Sequence, residues 1–181
     1  LRCFWWDSVF SVESGEPRSI GDVVAGVLAT GIPLVEVTGG EPLGHRQAIP
    51  LMERLLSAGT TVLLETSGSR DIGPVPAGVH IIMDLKPPDS GEASAHLWSN
   101  IDKLSMKDEV KFVIASRRDF EWSRDVVVEH QLDRRAKVLF SPVFGSVQPR
   151  QLVEWMLADK VPARFQLQMH KVVWPPDERG V

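Results

Sequence analysis

Apolar positions along the chain fall into short blocks of two kinds. Pro33–Thr38 (PLVEVT) is rich in β-branched residues and runs into Gly39, the pattern of a buried strand. Gln47–Ala58 repeats Ile49, Leu51, Met52, Leu55 and Leu56 at a spacing of about 3.6 residues, the period of a helix with one apolar face. Gly59 follows as its stop signal. Further strands are predicted over Thr61–Glu65, Val79–Leu85, Glu109–Ile114, Lys137–Phe140 and Phe165–Met169. Helices are predicted over Ile20–Ala29, Ser94–Leu104, Phe120–His130 and Gln148–Asp159. Two prolines and a glycine make Lys86–Ser94 a loop, and the tail from Trp174 to Val181 reads as irregular.

Strands that alternate with helices need crossover connections, so the sheet is predicted to be parallel. About six such units without a dinucleotide-binding fingerprint favour a partial (β/α) barrel over a closed eightfold one. In such α/β folds chemistry gathers where strands end. Five polar or glycine-rich segments stand at predicted strand ends: Thr38–Pro42 (TGGEP), Glu65–Gly68 (ETSG), Asp84–Lys86 (DLK), Ser141–Pro142 and Gln168–Lys171 (QMHK). Together they predict one pocket on one rim.

Composition narrows this picture. A chain of 181 residues with 43% hydrophobic content fits one domain with a real core. Its net charge of −4 and lack of a basic run give no sign of a nucleic-acid surface. No apolar run is long enough to span a bilayer, so no membrane role is expected. The one cysteine excludes an internal disulfide framework and points to a reducing cytoplasm. The chain starts at Leu1 and not at a methionine, which suggests a fragment or a trimmed chain.

Each motif has a plain structural reading beside the chemical one. In TGGEP, paired glycines let the backbone approach a ligand closely, with Glu41 to fix an ammonium or hydroxyl. The plain reading is a turn with an acidic helix start. Asp84 and Lys86 stand at alternate positions of a strand end and can face one side; the plain reading is a weak surface ion pair. The hydroxyls of ETSG could serve a site or an ordinary turn. His170 and Lys171 suit a proton relay or carboxylate clamp, or a satisfied structural pair. Cys3, in LRCFWWDS, is either a metal-ligating thiolate or a small buried apolar residue.

Taken in order, these strings resemble one family. RCxW-D at Arg2–Asp7, VTGGEP, LETSG, DLKPP, VKFV at Val110–Val113, SPVFG at Ser141–Gly145 and LQMHKxxW at Leu167–Trp174 are similar to the 7-carboxy-7-deazaguanine synthases. These are radical S-adenosylmethionine (SAM) lyases of queuosine and 7-deazapurine biosynthesis. The resemblance implies a [4Fe–4S] cluster on three cysteines, SAM on its open iron, and Mg2+. Cleavage of SAM to a 5′-deoxyadenosyl radical starts the conversion of 6-carboxy-5,6,7,8-tetrahydropterin to 7-carboxy-7-deazaguanine and ammonia.

The resemblance also implies residue roles. Trp5, Asp7, Gly39, Gly40, Glu41, Ser67, Asp84, Leu85 and Lys86 would border the cofactor. Thr38 and His170 would touch the pterin, Cys3 would bind the cluster, and Ser8 would stand in for a threonine on magnesium. A homodimer, an electron donor such as flavodoxin and a cytoplasmic location are the implied setting. One departure is sharp. Cys3 matches the middle ligand of CxxxCxxC, but Trp6 occupies the third position, and an indole donates a hydrogen bond and cannot bind iron. The first ligand position falls before Leu1, and by the same resemblance this single domain over residues 1–181 is expected to lack the family's N-terminal strand and substrate loop. Two other readings therefore stay open: a cluster-free homologue used as a binding or scaffold module, and an activating enzyme for a glycyl radical protein.

Overall fold

The computed structural model describes Leu1, Cys3, Phe4, residues 15–176 and Glu178. Six strands form one sheet in the order β1-β2-β3-β4-β5-β6, and every neighbouring pair is parallel. They are β1 (Leu34–Val37), β2 (Thr61–Thr66), β3 (His80–Asp84), β4 (Glu109–Ile114), β5 (Lys137–Pro142) and β6 (Arg164–Phe165). The helices are α1 (Ile20–Ala29), α2 (Ala48–Ser57), α3 (Arg117–Glu129), α4 (Pro149–Ala158) and a single turn, α5 (His170–Val173). The predicted parallel α/β arrangement of a partial barrel is what the structure has. No α-helix lies between β2 and β3 or between β3 and β4.

Local sequence accounts for the helix starts. Ser19 caps α1 by accepting from the Asp22 amide, and Ser116 caps α3 by accepting from the Asp119 amide. Pro149 opens α4, where its missing N–H costs nothing. The core divides into two apolar clusters. The larger holds Phe112, Phe120 and Phe140, each fully buried, between β3, β4, β5 and helices α3 and α4. Phe140 meets Phe112 and Phe120 edge to face at 5.4 and 5.9 Å between centroids, a favoured aromatic geometry. The smaller packs Met52 and Leu55 of α2 against Val62 and Leu64 of β2.

Two predicted elements differ. The helix expected over Ser94–Leu104 is a pair of 3-10 turns, Ala93–Ala95 and Trp98–Lys103. Asn100 explains this. Its buried amide donates to the Gly68 and Arg70 carbonyls and accepts from the Ile72 amide, so long-range bonds override local helix spacing. The strand expected over Phe165–Met169 is cut to Arg164–Phe165. Its one neighbour is β5, and after the Gln166 amide donates to Phe140 O the chain leaves the sheet. His170 and Lys171 therefore reach the rim from α5 and not from a strand end.

Candidate functional site

The carboxyl ends of the strands surround a cavity of about 550 Å3. Thr38, Gly39 and Gly40 follow β1; Thr66 and Ser67 close β2; Asp84 and Lys86 close β3; Ser141 lies on β5; Gln168, His170 and Lys171 come from the last segment. All five predicted rim segments thus contribute to its wall, and the volume is that of an ordinary small-molecule site.

Glu41 stands behind this wall. One carboxylate oxygen accepts from the Leu43 amide at 3.1 Å and the Thr66 hydroxyl at 2.8 Å. The other accepts from the Ser67 amide at 2.9 Å and from the Ser67 hydroxyl. Four donors match the lone-pair capacity of a carboxylate. Glu41 is absent from the cavity wall and joins the loop after β1 to the loop after β2. Gly39 has φ +133, a backbone conformation that a side chain would strain.

Asp84 and Lys86 form an ion pair at 2.6 Å with side chains only 10% and 15% exposed, so the pair is buried and not a surface contact. Burial pushes the Asp84 carboxyl up, but the ammonium groups of Lys86 and Lys111 outweigh it and hold it below the usual carboxylate range. Burial pushes the Lys86 ammonium down, and Asp84 with a contribution from Cys3 raises it past the ordinary lysine value. Asp84 Oδ1 is buried with no hydrogen-bond partner among the described residues, which leaves the site room for one further donor. The backbone of Lys86 is fixed by His96, whose Nε2 lies 3.1 Å from Lys86 N and 3.0 Å from Lys86 O. Burial lowers the His96 pKa, favouring the neutral ring.

A second ion pair lines the bore. Lys111 of β4 bonds Glu65 of β2, and Thr38 donates to the other Glu65 oxygen at 3.3 Å. Burial works against the Lys111 charge, yet Asp84, Glu65 and Glu36 together hold its pKa above the ordinary lysine value. Lys111, Glu36 and His96 were not singled out from the sequence. A lysine inside the otherwise apolar block EVKFVI was the available signal, because a charge in a buried strand needs partners.

The remaining predicted residues divide between the core, the cavity wall and the part of the chain outside the described residues. Leu85 turns into the core, 2% exposed, and offers the cavity no side chain. Cys3 is buried and lines the cavity. Trp5, Trp6, Asp7 and Ser8 lie outside the described residues.

Curated relatives decide the family. The chain is 41% identical over 197 residues to the 7-carboxy-7-deazaguanine synthase of Koribacter versatilis, covering 100% of this chain and 87% of the relative. The chain belongs to the 7-carboxy-7-deazaguanine synthase family. The synthases of Chlorobaculum tepidum and Methanospirillum hungatei match at 39% and 34% identity, over 99% and 97% of this chain and 83% and 74% of theirs. No protein-family model matches the chain. Among solved structures, Streptococcus suis SuiB bound to S-adenosylmethionine aligns with a TM-score of 0.59 at 11% identity, over 93% of this chain and 44% of SuiB. SuiB bound to the precursor peptide SuiA gives 0.63 at 10% identity, over 92% of this chain and 45% of SuiB. At that identity the likeness concerns the fold alone.

Family membership implies an iron–sulfur cluster and SAM, and the residues present fit the two differently. A cubane open at one iron takes three protein thiolates, and the chain has one cysteine. Among the described residues no group of three His, Cys, Asp or Glu side chains is placed to hold a metal. The donor set does not fit the cluster. The cavity does fit a zwitterionic nucleoside: it has glycine backbone at Gly39 and Gly40, an ammonium at Lys86 and an unfilled acceptor at Asp84. No helix among the described residues is long and apolar enough to cross a membrane.

Proposed function

We propose that this rim is the ligand-binding half of a radical SAM 7-carboxy-7-deazaguanine synthase. Its substrate is 6-carboxy-5,6,7,8-tetrahydropterin and its pathway queuosine biosynthesis in the cytoplasm. The carrying observation is the convergence of TGGEP, ETSG, DLK and QMHK on one cavity with a buried Asp84–Lys86 pair. When bound, SAM supplies the radical that starts the reaction. The chain's own residues do the holding. Gly39 and Gly40 let the SAM amino-acid moiety approach the backbone, with Glu41 fixing the two loops behind them. Asp84 and Lys86 offer one acceptor and one cation to the nucleoside or its carboxylate, and Ser67 faces the same space. Thr38 and His170 border the pterin. Trp5 and Asp7 beside the cofactor, Ser8 on Mg2+, a homodimer and a flavodoxin-type donor complete the proposal.

The 181-residue chain with Trp6 binds ligands without turning them over, because it holds one thiol where the cluster needs three. The same lone thiol favours a second reading, a cluster-free homologue that serves as a binding module. Anaerobic reconstitution with iron and sulfide tests both. The chain is expected to retain no stable cluster and to form no product. Trp6→Cys, together with an upstream segment carrying the first ligand, is expected to restore about four irons per chain and turnover of the pterin. Iron and product in the unaltered chain would overturn the reading of Cys3. A repaired chain that keeps iron but makes nothing from the pterin would overturn the substrate and leave the binding-module reading.

A further inference from the structure

Resting on the pterin reading above, we propose that Glu36 sets the specificity of the cavity for the 2-amino-4-oxopyrimidine edge of its substrate. The argument begins with charge. Along β1 to β4 and the turn after β3 the cavity wall carries four carboxylates, Glu36, Glu65, Asp84 and Glu109, and two ammonium groups, Lys86 and Lys111. Asp84 pairs with Lys86 and Glu65 with Lys111. Glu36 and Glu109 are left over, and Glu36, an exposed side chain, is the one that shares a strand face with Thr38. Among the described residues no group donates a hydrogen bond to it, and the charges that act on it are Glu65 and Lys111. Burial and the like charge of Glu65 raise its pKa, as for a carboxylate that lacks a donor.

Position then selects the ligand. Glu36 precedes Thr38 by two residues, so both side chains leave the strand on the same side, and both line the cavity. A carboxylate with free oxygens takes two parallel N–H donors best. The pyrimidinone edge of a pterin presents such a pair, N3–H and the 2-amino group, beside an acceptor, O4. Glu36 supplies the acceptor pair. The Lys111 ammonium, which acts on Glu36 electrostatically, and the Thr38 hydroxyl supply donors next to it for O4. The pattern of acceptor pair then donor is the complement of that edge. It is the wrong complement for a lumazine, in which a 2-oxo group replaces the amine and would set oxygen against carboxylate.

The test compares 6-carboxypterin with 6-carboxylumazine by equilibrium fluorescence titration of the chain, with SAM binding by calorimetry as a separate arm. The unaltered chain is expected to prefer the pterin roughly tenfold or more, the loss typical of an unmatched polar edge in a binding site. Glu36→Gln, which can offer an N–H to a 2-oxo group, is expected to lose pterin affinity about tenfold and to shift preference towards the lumazine. Glu36→Ala is expected to abolish the preference without reversing it. Both variants keep their SAM affinity and their circular dichroism. An unaltered chain that binds both heterocycles equally, or a Glu36→Ala chain that still prefers the pterin, overturns the role of Glu36 and leaves the pterin reading standing. An unaltered chain that binds SAM but neither heterocycle overturns the pterin reading itself, and this inference with it.

Discussion

Replacing Glu41 with alanine removes the shared acceptor of four donors and should loosen two loops at once. Thr66 is 2% exposed and Ser67 is 8% exposed, so the Thr66 hydroxyl and the Ser67 amide lose their bonds where water cannot easily substitute. A buried donor left without a partner costs about 1–3 kcal/mol. The Leu43 amide is only part-buried and recovers much of its loss by hydration. Bonds to one carboxylate are not additive, so the net cost is placed at about 2–4 kcal/mol. For domains of about 150–250 residues each kcal/mol moves the melting temperature by about 2–4 °C, so a fall of roughly 5–15 °C is expected. Glu41→Gln keeps one accepting oxygen and turns the other into a donor facing donors, so it should fall between the two. Thermal unfolding by circular dichroism reads the global effect, and hydrogen exchange at the Ser67 amide reads the local one. A Glu41→Ala chain that melts within about 1 °C of the parent, with Ser67 protection intact, would refute the bracing role. Loss of ligand affinity alone in such a chain would instead place Glu41 against the ligand.

Two further outcomes follow from the frame around the site. Gly68→Ala should destabilise by roughly 1–3 kcal/mol in denaturant titration, because Gly68 has φ +70 and a Cβ there would lie 2.9 Å from the Met83 side chain. Asp108→Ala should cost about 2–4 kcal/mol at pH 7, since the buried carboxylate accepts from the Ile81 amide at 3.0 Å and from the Ser105 amide and hydroxyl at 2.9 and 2.8 Å. Burial raises the Asp108 pKa, but these bonds outweigh it and hold the group below the usual carboxylate range. Its stabilisation is therefore complete above the unfolded value of about 4 and is lost as pH falls through the folded value. The deficit of Asp108→Ala should accordingly shrink between pH 7 and pH 3 in parallel denaturant melts, and an unchanged deficit would contradict the assignment.

How far the sequence could be read depended on the range of the interaction involved. The strand over Glu109–Ile114 and the helix over Ile20–Ala29 were legible to the residue, because a short β-branched block and a serine-capped periodic block are local signals. The Asp84–Lys86 pair was legible because alternation along one strand end is also local. Lys111 and Glu65 are 46 residues apart, on strands separated by β3, and nothing near either residue announces the other. Register alone brings them together, and register is a property of the assembled sheet. His96 was hidden for a related reason. It sits in a segment read as a helix, and the bonds of Asn100 that replace that helix with tight turns reach back to Gly68, Arg70 and Ile72. Glu41 was seen but in another role, because glycine-flanked acids suggest ligand contact and a sequence cannot show that Leu43, Thr66 and Ser67 will supply four donors to it first.

The same wiring bears on how binding relates to chemistry in this chain. Breaking a buried ion pair by removing one partner costs several kcal/mol, because the charge left behind has no compensation. Asp84 pairs with Lys86 and Glu65 with Lys111, so each of the four charges has a partner within the wall. Cys3 adds only a minor contribution to the Lys86 charge, after Asp84. These four charges of the wall thus balance pair by pair within the protein. Ligand affinity and turnover then become separable quantities. On the proposed function, a chain with one thiol would lose the radical step while the charge balance of its cavity wall is kept. On β1 to β4 these pairs leave out Glu36 and Glu109, and on the inference drawn above Glu36, beside Thr38 and within the field of Lys111, is the one whose open oxygens a ligand's N–H groups would meet.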